Sequence, residues 1–376
     1  MNNVVLREFL IIYQHFAKEI TMEKTFRRIG ILTSGGDAPG MNSVIKSVTC
    51  AAINKGVEVI GIIGGYSGLI NDRVRPLTKN DVANIGSMGG TFLYSDRCDE
   101  FKTEEGMQKA IATCKKHNID GIIAIGGDGT FRGATDLSIR GIPCIGVSGT
   151  IDNDITASDI TVGFDTAMDT VMKLGDSLRD TCESHARCNV IEVMGRNAGY
   201  IAIETALALN AIGVAIEEKP FDKQALLNKI IKARSEGRRS FIVVVAEGLG
   251  GAFSEGLTKE IESVTGVEAR FVRPAHIVRG GTPTLVDRNF AAKSGYKAVE
   301  LLLSGVSDVV VVDRHGEITS MEIKFALILD RMYKNKLKDG DLDKFSAEEI
   351  KEMEKICAER RKYFDDMYEI VNEIGY

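Results

Sequence analysis

The sequence lacks the long apolar runs, the paired cysteines and the basic excess that mark several classes of protein. No apolar run approaches the roughly 20 residues that a membrane-spanning helix needs. Its seven cysteines are odd in number and include no C-x-x-C pair. This argues against a zinc site or a disulfide framework and predicts a reducing compartment, the cytoplasm. A net charge of −6 argues against a nucleic-acid partner, so any anionic substrate must meet local arginine clusters.

The beginning of the chain does not have the pattern of a signal peptide. Residues 1–25 have neither the basic start nor the small-residue cleavage site of a signal peptide. The first recognisable strand begins only at Arg28, and Met22 is a candidate start. We therefore interpret residues 1–25 as an N-terminal extension without a catalytic role.

What is present is typical of an α/β protein. The 376 residues suffice for two domains. A hydrophobic content of 44% and a charged content of 27% are ordinary, and 39 glycines fit a fold rich in loops. Strand and helix patterns alternate over residues 28–312, which predicts two doubly wound, Rossmann-like, parallel-sheet domains.

Two acidic loops dominate the middle of the chain. Residues 126–130 read Gly-Gly-Asp-Gly-Thr, and residues 149–155 read Gly-Thr-Ile-Asp-Asn-Asp-Ile. Each follows a short apolar run, 121–125 or 143–147, that predicts a buried parallel strand. In doubly wound folds, ligands bind outside the carboxyl ends of such strands.

The residue types in these loops suit phosphate chemistry. The paired glycines let a phosphate approach the backbone, Asp128 can hold a divalent cation, and Thr130 begins a helix whose free N–H groups attract anions. The second loop brings Asp152 and Asp154 to the same edge of the sheet. Glycine and aspartate also form ordinary turns, but two such loops about 20 residues apart make coincidence a poor explanation.

An earlier glycine loop imitates a phosphate-binding P-loop without being one. The spacing of Gly35 and Gly40 fits that motif, but Met41 and Asn42 stand where it needs Lys and Ser or Thr. Charge on a bound phosphate must then be neutralised by a metal and by arginines. A plain strand-to-helix turn is the alternative.

Further turns carry basic side chains. Arg97 follows a glycine turn, and Arg196 follows another predicted strand. A strand predicted over 270–277 leads to His276 and Arg279, a pair that suits a sugar phosphate because a guanidinium can grip phosphate with two hydrogen bonds. A basic surface edge is the alternative for this pair.

The C-terminal segment, residues 346–376, is predicted to be a helical extension. It opens with a capping box from Ser346 to Glu349 and repeats apolar residues at helical spacing. We expect it to pack against the body of the protein or against another subunit.

Taken in order, these motifs resemble those of the 6-phosphofructokinase family over most of residues 28–312. The Gly-Gly-Asp-Gly-Thr loop also occurs in NAD kinases and diacylglycerol kinases, which are not expected to carry the pieces at 149–154, 194–196 and 276–281. The resemblance implies the phosphofructokinase fold. Its nucleotide-binding domain would comprise residues 26–163 plus 278–328, and its sugar-phosphate-binding domain residues 164–277 plus 329–345.

The resemblance also implies an activity and a set of site residues. It implies transfer of phosphate from Mg-ATP to fructose 6-phosphate, giving fructose 1,6-bisphosphate in glycolysis, with Asp152 as the base for the C1 hydroxyl and Asp128 on Mg²⁺. The implied catalytic residues are Asp152, Thr150, Arg196 and Gly36. The implied nucleotide contacts are Gly36, Arg97, Cys98, Gly127, Asp128, Gly129 and Thr130. The implied sugar-phosphate contacts are Thr150, Ile151, Asp152, Arg187, Met194, Gly195, Arg196, Glu247, Arg270, His276, Ile277, Val278 and Arg279.

The phosphoryl donor is predicted from two glycines. Pyrophosphate-using relatives generally carry Asp at the position of Gly129 and Lys at the position of Gly149. An aspartate would repel the α-phosphate of ATP, so glycine at both positions favours ATP. The alternatives are a pyrophosphate-dependent phosphofructokinase, an NAD or lipid kinase, and a non-catalytic regulatory subunit that binds sugar phosphate.

The resemblance implies an oligomer, and this sequence departs from its bacterial members. Arg187 and Arg270 match arginines that reach a neighbouring subunit's active site, which implies a homotetramer. Cys98 replaces an aromatic side chain near adenine. The positions of effector-site charges carry Lys46, Cys50 and Ile212, so regulation by ADP or phosphoenolpyruvate is not predicted.

Overall fold

The computed structural model describes residues 26–375. The N-terminal extension inferred for residues 1–25, and Tyr376, lie outside this part. The described strands are β1 (Arg28–Thr33), β2 (Glu58–Ile62), β3 (Val74–Leu77), β4 (Gly121–Gly126), β5 (Cys144–Ser148), β6 (Cys188–Val193), β7 (Gly213–Ala215), β8 (Phe241–Ala246), β9 (Ala269–Val272), β10 (Val309–Arg314) and β11 (Glu317–Glu322).

Helices follow most of the strands. They are α1 (Met41–Asn54), α2 (Gly65–Ile70), α3 (Glu104–Lys116), α4 (Asp128–Ile139), α5 (Phe164–His185), α6 (Tyr200–Ala208), α7 (Lys223–Ser235), α8 (Gly251–Thr265), α9 (Leu285–Leu303), α10 (Ile323–Tyr333) and α11 (Ala347–Ile374). None of the helices within residues 26–375 is long and apolar enough to cross a membrane.

The strands form two sheets. The larger has the order β11-β10-β5-β4-β1-β2-β3, and the smaller has the order β7-β8-β6-β9. The inner strands of the larger sheet are parallel, whereas its edge strands β3 and β11 are antiparallel to their neighbours. The smaller sheet is parallel throughout. The predicted α/β class with two parallel sheets is confirmed, with the antiparallel edges as an addition.

Burial on both faces explains the central strands. All six residues of β4 and all six of β8 are buried. Their runs of Ile, Val and Ala suit strands covered by helices on both sides. Because parallel strands end at a common edge, the loops after β4 and β5 emerge side by side.

One predicted strand was wrong in its second half. The strand predicted over 270–277 ends at Val272, and His276 and Arg279 lie in a 3₁₀-helix, Ala275–Arg279. Pro274 accounts for the break, since it lacks the N–H that a sheet ladder needs.

The C-terminal helix begins as predicted. Ser346 accepts a hydrogen bond from the Glu349 N–H at 3.2 Å, and the Glu349 carboxylate accepts one from the Ser346 N–H at 2.7 Å. These reciprocal bonds form the predicted capping box.

Candidate active site

The two acidic loops meet at the carboxyl edge of the larger sheet. Gly126 at the end of β4 pairs with Ser148 at the end of β5, and the Gly149 N–H donates to the Gly126 carbonyl at 2.9 Å. Asp154 is close enough to raise the pKa of both Asp128 and Asp152 electrostatically. The predicted convergence of the loops is therefore present.

Asp152 is a buried carboxylate with one cationic partner. Its residue surface is 4% exposed, and its Oδ2 lies 3.2 Å from Nε of Arg196. Burial and then the charge of Asp154 raise its pKa to about 6, while Arg196 acts in the opposite direction. At pH 7 the carboxylate is ionised yet basic enough to accept a proton.

Asp128 occupies the first turn of α4. Burial, Asp330 and Asp154 raise its pKa to about 6, while Lys334 acts to lower it. Arg132 lies 3.8 Å away on the same helix. A Cβ atom added at Gly127 or Gly129 would meet open space, so the backbone around Asp128 is open to a ligand.

Gly126, unlike Gly127 and Gly129, has no room for a side chain, because the end of β4 is tightly packed. A Cβ there would lie 2.3 Å from Oγ1 of Thr130 and 2.4 Å from the Ser34 carbonyl oxygen. The Thr130 hydroxyl donates to that carbonyl at 3.0 Å. The loop after β1 is thereby joined to the loop after β4.

Glu247 orients Arg196 through the backbone. Its Oε1 accepts hydrogen bonds from the N–H groups of Gly195 at 3.1 Å and Arg196 at 2.8 Å. Arg196 adopts a φ of 55°, a left-handed conformation that these bonds support. The smaller sheet thus delivers the Arg196 guanidinium to Asp152 on the larger sheet.

Arg279 lies against the first glycine loop. Its Nη2 donates to the Asp37 carbonyl at 2.9 Å and lies 3.3 Å from the Asp37 carboxylate. A Cβ at Gly36 would lie 2.0 Å from that nitrogen. Glycine is therefore required for Arg279 to occupy this position.

A cavity of about 430 Å³ lies at this contact. Two guanidinium groups, from Arg97 and Arg279, line it together with His276. This cationic lining suits anionic ligands. The full lining is Gly35, Gly36, Asp37, Thr91, Tyr94, Ser95, Arg97, His276 and Arg279.

Several predicted contact residues have side chains that face the core. Ile151 is 3% exposed and Val278 is 0% exposed, so Ile151 presents little surface to a substrate and Val278 presents none in this arrangement. Ile277, by contrast, is 62% exposed. Met194 and Cys98 are half-buried.

Arg187 and Arg270 lie away from Asp152 of the same chain. Arg187 precedes β6, and Arg270 is one residue into β9, opposite Asn189 at the amino end of β6. Both guanidinium groups contact Glu268. Arg196 lies beyond the other end of β6, roughly 20 Å along the strand at about 3.3 Å per residue.

Several residues of this region were not predicted as site residues from the sequence. Lys334 on α10 lies 2.9 Å from Asp330 and 3.8 Å from the Asp154 carboxylate. The spacing of Asp330 and Lys334 on one helix was the available signal. Asp37 and Tyr94 flank the cavity, and nothing in their spacing singled them out.

Comparison with sequences identifies the family. The phosphofructokinase family profile matches residues 28–302. Over 313 residues the chain is 47% identical to a Clostridium botulinum (strain Loch Maree) protein named ATP-dependent 6-phosphofructokinase, covering 83% of this chain and 98% of that relative.

Comparison with solved structures agrees. A phosphofructokinase from Saccharomyces cerevisiae is similar with a TM-score of 0.78 at 27% identity, over 89% of this chain and 50% of that one, so this chain spans half the yeast chain's length. A pyrophosphate-dependent phosphofructokinase from Marinobacter aquaeolei, at 20% identity and a TM-score of 0.70 over 79% of this chain and 83% of that one, shares the fold. The architecture is the phosphofructokinase fold, and the chain belongs to the phosphofructokinase family.

Proposed function

We propose that this protein is an ATP-dependent 6-phosphofructokinase that phosphorylates the C1 hydroxyl of fructose 6-phosphate in glycolysis. The observation that carries the proposal is the buried Asp152 carboxylate, paired with Arg196 at 3.2 Å beside the loop of Asp128. Phosphoryl transfer depends mainly on positioning and charge stabilisation. This site supplies a base, several guanidinium groups and an open glycine loop.

The nucleotide would lie along the glycine loop after β1, which contains Gly36, and along the loop of residues 126–130 after β4. Its phosphates would contact Gly36, Arg97 and the open backbone of residues 127–129, at the N-terminus of α4. The free N–H groups of that helix end attract anions. Cys98 and Thr130 complete the proposed nucleotide contacts.

The surroundings of Gly129 and Gly149, the two glycines on which the donor prediction depends, both favour ATP. Open space at Gly129 leaves room for a nucleotide α-phosphate. A Cβ at Gly149 would lie 2.9 Å from Cε of Met41 and 3.1 Å from Cγ2 of Ile125, so a lysine there would have to displace its neighbours. The names of the Clostridium relatives agree with ATP.

Asp128 and its surroundings suit a Mg²⁺ ion that binds together with the nucleotide. Mg²⁺ prefers carboxylate oxygens and is held by one or two carboxylates plus substrate phosphates. Asp128 is such a carboxylate and would hold the ion. The negative charge of Asp154 lies close enough to raise the pKa of Asp128. When bound, the ion neutralises charge on the donor's phosphates.

The proposed transfer begins at the sugar hydroxyl. The C1 oxygen forms a bond to the γ-phosphorus, the bond from that phosphorus to the leaving ADP oxygen breaks, and Asp152 takes the hydroxyl proton. Thr150 adjoins Asp152, since the Asp152 N–H lies 3.2 Å from the Thr150 Oγ1. Arg196 stabilises the negative charge that spreads over the oxygens in transit.

The sugar phosphate would bind between the two sheets. His276 and Arg279 would hold its 6-phosphate, and Glu247 with the Met194–Arg196 turn would line the sugar. Arg187 and Arg270 lie too far from their own Asp152 for this task, which supports their contribution to a neighbouring subunit in a homotetramer. Ile277 and the small exposed part of Ile151 complete the proposed contacts, whereas Val278 packs in the core.

The two sheets support a division into domains. We assign residues 26–163 plus 278–328, which contain the larger sheet, to nucleotide binding, residues 164–277, which contain the smaller sheet, plus 329–345 to sugar-phosphate binding, and 346–376 to the C-terminal extension. The sheets do not bear on residues 329–345, where Leu329, Leu342 and Phe345 pack with the larger sheet. All seven cysteines are free, which supports a reducing, cytoplasmic location.

A coupled assay with ATP and pyrophosphate side by side tests the function. We expect fructose 1,6-bisphosphate to form from fructose 6-phosphate with Mg-ATP and at most a trace with pyrophosphate. Comparable rates with pyrophosphate would reject the donor assignment. Tight binding of fructose 6-phosphate without turnover from either donor would instead favour a regulatory subunit.

A further inference from the structure

Among the non-glycine residues that line the cationic cavity, Tyr94 alone has a positive φ. Its φ is 57°, a left-handed conformation that residues other than glycine rarely adopt. For a bulky side chain this conformation carries an energetic cost. Its residue surface is 69% exposed, so packing in the core does not account for the aromatic side chain. It nonetheless lines the cavity with Gly36, Arg97, His276 and Arg279.

The turn that carries Tyr94 is fixed on both sides. Leu93 is fully buried, the Thr33 hydroxyl donates to the Tyr94 carbonyl at 2.8 Å, and the Ser95 hydroxyl donates to the Gly35 carbonyl at 2.6 Å. These anchors tie the turn to the first glycine loop. The turn therefore places Tyr94 at the cavity with most of its surface exposed.

We propose that the Tyr94 ring contacts the bound substrates and covers the phosphoryl group in transfer, keeping water away from it. The inference rests on the proposed function, in which the donor contacts Gly36 and Arg97 while the sugar phosphate contacts His276 and Arg279. The cavity then lies between donor and acceptor. Residues with a strained backbone cluster at active sites and ligand contacts.

The ring would favour the sugar C1 hydroxyl over water as the nucleophile that attacks the γ-phosphorus. In transfer, the C1 oxygen of the sugar bonds to the γ-phosphorus, ADP leaves, and the hydroxyl proton passes to Asp152. In hydrolysis, a water oxygen forms that bond, one water proton is lost to a base, and ADP and inorganic phosphate leave. A cover over the site excludes water and so suppresses the second reaction.

Replacing Tyr94 tests this role through the ratio of ATP hydrolysis to sugar phosphorylation. In Tyr94→Gly we expect that ratio to rise by roughly tenfold, which corresponds to about 1.4 kcal/mol of lost discrimination. Tyr94→Asn, which tolerates the left-handed backbone, should behave alike. Tyr94→Phe keeps the ring and should match the wild type. The Tm of Tyr94→Gly should be unchanged or higher, because glycine relieves the strain.

A matched control comes from His315, whose φ is 55° in the turn between β10 and β11. His315→Gly relieves similar strain outside the cavity and should leave the hydrolysis ratio unchanged. An unchanged ratio in Tyr94→Gly and Tyr94→Asn would overturn the proposal. So would a Tyr94→Phe variant as hydrolytic as Tyr94→Gly, since the hydroxyl would then be responsible. A wild-type protein without ATP-dependent transfer would instead reject the proposed function.

Discussion

Asp152 sets the expected pH dependence of the reaction. Its pKa is raised to about 6 by burial and by the charge of Asp154. Below that pH the carboxyl holds a proton and cannot accept one from the sugar, so kcat should fall on the acid side with an apparent pKa near 6. The measurement is the pH profile of kcat at saturating substrates.

A single substitution tests whether the acid limb arises from the carboxylates beside Asp154, which raises the pKa of Asp152 and of Asp128. Asp154→Asn removes a negative charge that raises the pKa of Asp152, so the acid limb should move to lower pH. Asp169→Asn, in a surface pair with Lys173, is the control and should leave the limb in place. An acid limb that stays put in Asp154→Asn would show that a different group controls it.

Gly129 is the residue at which donor choice can be tested. Open space beside it means that Gly129→Asp should fold, while its carboxylate repels the phosphates of ATP. Two unit charges 4 Å apart repel by about 1 to 4 kcal/mol between bulk water and a protein surface, so KM for ATP should rise about tenfold or more. Gly129→Asn has the same shape without the charge and should impair ATP use much less. Equal ATP kinetics in both variants would remove this position from donor selection.

The C-terminal helix α11 connects the two halves of the molecule. Near its beginning, Met353, Ile356 and Cys357 pack with the helices and strands of the larger sheet. Further along, Phe364 and Val371 pack in the cluster that includes residues of the smaller sheet. One continuous helix therefore contributes to both cores.

Phe364 tests the contribution of this helix to stability. It is 1% exposed, and its ring centroid lies 4.5 Å from that of Tyr200 on α6. Phe364→Ala should lower the free energy of unfolding by about 3 to 5 kcal/mol, the usual loss for a buried phenylalanine. Ile370, which is 41% exposed, lies on the same helix, and Ile370→Ala should cost about 0.5 kcal/mol. Similar losses in urea unfolding of the two variants would contradict the bridging role.

The elements that the sequence predicted best are those with strong local signals. A buried run ending in paired glycines located β4, and the spacing of Ser346 and Glu349 located the start of α11. The strand predicted over 270–277 was wrong in its second half, because Pro274 lacks the N–H that would continue the sheet and the apolar pattern does not show this. Lys334 was missed for a different reason: it reaches the Asp154 carbonyl across 180 residues of sequence, and only the packing of α10 brings them together.

At the scale of the whole molecule, the placement of Arg187 and Arg270 makes the proposed second subunit testable. Both contact Glu268 at the far end of β6 from Arg196. If they serve a neighbouring site, an Asp152→Asn subunit and an Arg187→Ala subunit have complementary defects. Co-expression of the two should therefore give more activity than either variant alone.

The control for this complementation is a pair of variants whose defects lie in the same active site. Asp152 and Arg196 belong to the same site, because their side chains pair within one chain. Mixing Asp152→Asn with Arg196→Ala leaves every site defective and should restore nothing. Failure of the Arg187→Ala mixture to exceed its parents, with hybrid oligomers present, would contradict the shared site.

The proposed activity depends most on Asp152 being the base at a site formed by both acidic loops. The direct test is the steady-state kinetics of Asp152→Asn with Mg-ATP and fructose 6-phosphate, with its Tm measured alongside. A general base contributes about 10² to 10⁴-fold in rate, or about 3 to 5 kcal/mol. We predict a loss of kcat of at least that range with a modest change in KM. A folded Asp152→Asn protein with a near-normal kcat would contradict the account.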